Sequence, residues 1–185
     1  MRRTVAVLGA VAAALLAVQT PALAAGPREG HVSVADGPFE FCGLPNVTYA
    51  EETEYRLLSR QQGPGRDWTF SVFTEGWFTF TNADTGRVVT ATYHKVDRDL
   101  RILSSDGVSR TVKTMNNRTE VWTNDAGQRL GAVHGPISFT VTVSYAGTPS
   151  DPFDDFWLSD LSDIWVRGDW RFSDGFCDVM TTNLT

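Results

Sequence analysis

The chain has 185 residues, with 16 Lys and Arg against 22 Asp and Glu and a net charge of -6. That balance argues against a duplex nucleic-acid partner, which is gripped by Lys and Arg neutralising phosphates. Two cysteines are too few for a thiolate zinc site, and the length suits one domain with a substantial core.

The first 24 residues read as an export leader. Arg2 and Arg3 form a basic start, residues 5–18 are an uninterrupted apolar run, and Ala22-Leu23-Ala24 is a small-residue cleavage pattern. The run is shorter than the roughly 20 apolar residues a membrane helix needs, and no later segment reaches that length. The expectation is a secreted, soluble protein with no membrane span in the mature chain. Removing the leader takes Arg2 and Arg3 with it, leaving 14 basic against 22 acidic residues and a net charge of -8. Residues 25–38, where Gly, Pro and His follow no period, read as a loose N-terminal arm, and residues 39–182 as the single folded domain.

Cys42 opens that domain and Cys177 nearly closes it. In an oxidising compartment they are each other's only intramolecular partner; two free thiols or an intermolecular bridge are the alternatives. A bond would require Cα atoms roughly 4.4 to 6.8 Å apart, which places the first and last strands side by side.

Between the cysteines the pattern is alternation. Trp68, Phe70, Val72, Thr74, Gly76, Phe78 and Phe80 share one phase, with Thr69, Ser71, Glu75, Thr79 and Thr81 in the other, as in a half-buried strand. Gly76 lies in the apolar phase and suits a bend or bulge. Residues 82–86 form a turn in which Gly86 can take positive φ, and residues 87–96 return as the partner strand. Residues 47–60, 109–115 and 119–124 read as further strands. Ile137, Phe139, Val141, Val143 and Tyr145 then alternate with Ser and Thr, and Ile164, Val166, Gly168, Trp170 and Phe172 with charged residues. Helical periodicity is absent apart from a short turn within 153–164. About eight sequential antiparallel strands predict a single-domain, calycin- or lipocalin-like β-barrel, because closure removes exposed edges; a β-sandwich is the alternative.

The order of parts is similar to that of small secreted β-barrel-like proteins of actinobacteria that have no assigned function. The likeness rests on Phe41-Cys42-Gly43, on Trp68 to Phe80 leading into Thr81-Asn-Ala-Asp-Thr-Gly-Arg-Val-Val89, and on Phe176-Cys177-Asp178. It implies an exported barrel-like fold and carries no catalytic residue.

The chemistry is sparse. No G-x-S-x-G, H-E-x-x-H or phosphate-binding glycine loop occurs, so no catalytic residue and no cofactor are assigned. Asp151, Asp154 and Asp155 form a candidate calcium cluster in a segment that also holds Asp160, Asp163, Phe153 and Phe156. Trp77, Trp122, Trp157 and Trp165 are candidate ligand-stacking residues, offering rigid apolar area with a polar edge. The leading expectation is a secreted, monomeric, non-enzymatic protein that binds a small apolar or carbohydrate-like ligand, or a partner in the envelope. The alternative is a secreted Asp-dependent hydrolase or isomerase drawing on the 151–163 carboxylates, with His94 or His134 as proton shuttle.

Overall fold

The computed structural model describes residues 27–62, 67–144, 151–169, 172 and 175–185. The leader at 1–24, Tyr145, residues 146–150 and Trp170 lie outside the described residues. Among the described residues no helix is long and apolar enough to cross a membrane.

The chain is an antiparallel meander. Strands β1 (Arg28–Phe41), β2 (Leu44–Gln62), β3 (Asp67–Asn82), β4 (Val88–Ser105), β5 (Ser109–Asn124) and β6 (Arg129–Ser144) pair in sequence order. The short strands β7 (Phe156–Trp157) and β8 (Ser162–Val166) both pair with β6, and the helix α1 (Phe176–Leu184) follows. With 19 residues in β2 at about 3.3 Å each, a strand path of roughly 60 Å must curve to bury one face. The sheet therefore curls into a barrel-like trough. Among the described residues no ladder joins β1 to β6, β7 or β8, so the expected barrel is a half-barrel.

Alternation sets the inner face. Register places Tyr49, Glu51 and Thr53 of β2 beside Phe80, Phe78 and Gly76 of β3, and these beside Val89, Ala91 and Tyr93 of β4. Residues 109–115 and 119–124, expected as two strands, are one: β5 runs unbroken and carries Arg110, Val112, Thr114, Arg118, Glu120 and Trp122 inward. No register shift marks Gly76. A Cβ there would lie 2.1 Å from the Glu52 carbonyl oxygen, so its role is close backbone approach between curved strands rather than a bulge. The turn at 82–86 forms as expected, with Gly86 at φ 71° and its N–H donating to the Asn82 carbonyl at 2.8 Å.

Three expectations differ. Residues 28–38, read as a loose arm, belong to β1 and pair with β2 from Arg28↔Leu57 onward; an edge strand hydrogen-bonded to β2 over this length overrides the weak local pattern. Residues 164–166, read as part of a half-buried strand, are not a buried strand face, for Ile164, Trp165 and Val166 of β8 are all about half exposed at the sheet edge. Cys177 lies in α1, not in a strand. It bonds to Cys42 in the β1–β2 turn with Cα atoms 5.1 Å apart. The disulfide therefore ties a helix onto one end of the trough instead of joining the first and last strands.

Two straps cross the open side. At one end α1 seats Met180 and Leu184 against Val47, Phe80, Val89, Ala91 and Trp122, forming the main core. Its last carbonyls are satisfied by the β3–β4 turn: Asn82 Nδ2 and Thr85 Oγ1 donate to the Leu184 oxygen at 3.1 and 2.7 Å. At the other end, residues 151–161 reach from the β6 side to β1 and β2. Arg28 meets Asp151 at 2.7 Å, the Tyr55 and Phe153 rings lie 4.9 Å apart, and Leu161 joins a second core of Val112, Val141 and Val143.

Candidate functional site

Between the two cores the inner face is polar. Glu51 accepts hydrogen bonds from Tyr49, Tyr93 and Thr53 at 2.5, 2.6 and 2.8 Å, and Glu120 accepts from Trp122 Nε1 at 2.6 Å while pairing with Arg118. Burial, and then the Glu51 carboxylate, raise the phenol pKa of Tyr49 and of Tyr93, which keeps both as neutral donors. This belt links β2, β4 and β5 through Glu51 and the Arg118–Glu120 pair, although Arg118 Nε and Glu120 Oε2 make no hydrogen bond among the described residues.

The second core is different in kind. Arg110, at the start of β5 and only 3% exposed, extends inward in phase with Val112. Its Nη1 donates to the Trp68 carbonyl at 2.5 Å and to Asp99 Oδ2 at 3.1 Å, its Nη2 donates to Asp155 Oδ2 at 3.1 Å, and its guanidinium lies 4.5 Å from the Phe70 ring centroid. Asp99 also accepts from the Phe70 N–H and from Thr114 Oγ1. Burial raises its pKa against the opposing pull of Arg110 and these hydrogen bonds.

Asp155 is less well served. Its side chain is 6% exposed, and Oδ1 is buried with no hydrogen-bond partner among the described residues. Burial pushes its carboxyl up to about 7, Arg110 pulls against this, and the neighbouring charge of Asp154 adds to the rise. Asp155 borders a cleft of about 180 Å³ whose apolar walls are Phe70, Val72, Phe139, Val141 and Trp157, with Asp97, Asp99 and Arg110 at its polar end. A larger recess of about 300 Å³ at Leu58, Phe73 and Arg98 has in its lining no buried side-chain polar atom that lacks a partner. The smaller cleft thus joins apolar walls to an unsatisfied buried acceptor, the combination from which small-molecule sites are built.

No family model, characterised protein or solved structure matches this chain. The site therefore rests on its own geometry.

The candidate residues are dispersed. Trp122, 3% exposed, is core, packed among Phe78, Phe80, Phe172 and Phe176. Trp77 is 40% exposed and faces the outside of β3, Trp165 lies on edge strand β8, and of the four only Trp157 borders the cleft. The calcium grouping is not assembled: Asp151 pairs with Arg28, Asp155 with Arg110, and among the described residues no group of three His, Cys, Asp or Glu side chains converges as metal ligands would. His94 and His134 are exposed, and neither borders the cleft; Asp160 is exposed as well. Sequence reasoning missed Arg110 and Asp99. Arg110 had a signal, because a cation in the same phase as Val112 points at the core and implies buried carboxylate partners.

Proposed function

We propose that this is a secreted, non-enzymatic binding protein that holds one small, largely apolar molecule in the cleft between β3, β5, β6 and the 151–161 strap. The observation that carries the reading is the cleft: its volume of about 180 Å³ suits a benzene-sized guest, since an apolar cavity of about 150 Å³ takes up benzene. Dispersal of the four tryptophans favours an apolar guest over a sugar stacked on several indoles. The Cys42–Cys177 bond is compatible with an oxidising compartment, and with the leader it supports export.

An Asp-dependent enzyme is the second reading, because a carboxyl titrating at about 7 beside a cleft suits general acid–base work. Such chemistry needs a second reacting group. Asp99 is committed to Arg110, the Phe70 N–H and Thr114, and both histidines lie away from the cleft, which favours binding.

Titration with toluene, followed by two-dimensional amide and methyl NMR, tests the proposal. Shifts are expected at Val72, Phe139, Val141 and Trp157, and Val141→Phe, which fills the cleft, is expected to abolish them. Shifts scattered over the outer face, or unchanged in that variant, would remove the cleft as a binding site.

A further inference from the structure

The floor of the cleft specifies the guest's polar end. Among the described residues Arg110 is shared between Asp99 and Asp155, whereas Asp97 has Lys95 at 3.6 Å and the charge of Arg118, so Asp155, with Asp154 beside it, is served only by the shared Arg110. Asp155 spends only Oδ2 on Arg110. Its Oδ1 and the Oδ1 of Asp154 are both buried without a hydrogen-bond partner among the described residues. Leaving a buried acceptor unsatisfied is costly, and a carboxylate more so than a neutral group. The missing component is thus a donor that also brings positive charge. A hydroxyl offers one hydrogen and no charge, whereas an alkylammonium is compact and offers three. A carboxylate or phosphate would meet like charge.

We propose that the guest is a small apolar primary amine, its ammonium donating to Asp155 Oδ1 with Asp154 as second acceptor and its hydrocarbon lying between Phe139, Val141 and Trp157. The inference rests on the cleft being a binding site and adds the chemical class of the ligand. It also predicts a pH dependence. With burial holding the empty-site carboxyl of Asp155 at about 7, the ammonium selects the ionised form, so affinity rises as pH passes through neutrality. Among the described residues, the charged groups acting on Asp155 are Asp99 from β4, Arg110 from β5 and Asp154 from its own strap, with Asp97 of β4 also lining the cleft.

Benzylamine, toluene and benzoate, of nearly equal size, separate the claims. Calorimetric or NMR titration of the intact protein at pH 8 is expected to show benzylamine binding at least about tenfold tighter than toluene, an advantage of about 1.4 kcal/mol, with benzoate weakest. At pH 5.5, where the amine is still protonated, the advantage should shrink at least several-fold. Asp155→Asn should bring benzylamine down to the toluene affinity. If that variant does not fold, Asp154→Asn is read instead, and an undiminished amine advantage there overturns the proposal. Benzylamine binding no tighter than toluene, or benzoate binding tighter than benzylamine, refutes the amine while leaving the cleft a binding site. Failure of both toluene and benzylamine to bind refutes the cleft itself.

Discussion

The carboxyl of Asp155 is held at about 7 by burial, against Arg110, and in the unfolded chain an aspartate titrates near about 3.9. Between those values the folded protein keeps a proton that the unfolded chain has lost. The contribution of this group to stability is therefore full below about pH 4, falls as pH rises towards 7 and is level beyond. Buried Asp99, raised in the same direction by its own burial, adds to the trend. Urea unfolding from pH 4 to 8 should show stability declining towards neutrality, and Asp155→Asn should flatten much of that decline; an unaltered slope in the variant would assign it elsewhere. At this scale the sequence offers parity and little more. Arg110 shares the phase of Val112, so its inward aim was legible, but its two carboxylate partners come 11 and 45 residues away, and only the folded trough brings them together.

Element by element, strand phase explains most of the fold and local pattern explains least at the termini. Gly76 was marked by its place in the apolar phase of β3, and its function emerges from the partner strand, because a side chain there would meet the Glu52 carbonyl. Gly76→Ala should destabilise the protein by about 1–3 kcal/mol through forced separation of β2 and β3. Thermal unfolding checks this; no loss of stability would mean the sheet relaxes freely at that point. The helix α1 escaped notice because nine residues with few strong helix formers carry almost no propensity. Phe176, Met180 and Leu184 nevertheless recur every fourth residue, the stripe that packs on Trp122 and Val89. Conversely, the alternation in β8 gave the pattern of a buried strand where the structure has a five-residue edge with its apolar side chains half exposed. Period-2 patterning assigns faces and does not say what lies against them.

For the molecule as a whole, the disulfide closes a separation of 135 residues, which in the chain-entropy model stabilises the fold by about 5 kcal/mol. Because it joins α1 to the β1–β2 turn, the Cys42→Ser/Cys177→Ser double variant should lose hydrogen-exchange protection first in α1 and at that turn, while the β4–β5 ladder stays protected. Equal loss throughout the sheet would show instead that the bond supports the entire trough. Alternation, the turn ending at Gly86 and the cysteine count determined by themselves an all-β antiparallel meander with one intramolecular bond, because each depends on neighbours a few residues apart or on elimination. Whether the sheet closes, what crosses its open side and where a guest fits were decided only by tertiary structure. Those features depend on accumulated twist and on meetings such as Arg28 with Asp151, 123 residues apart, whose geometry no local pattern encodes.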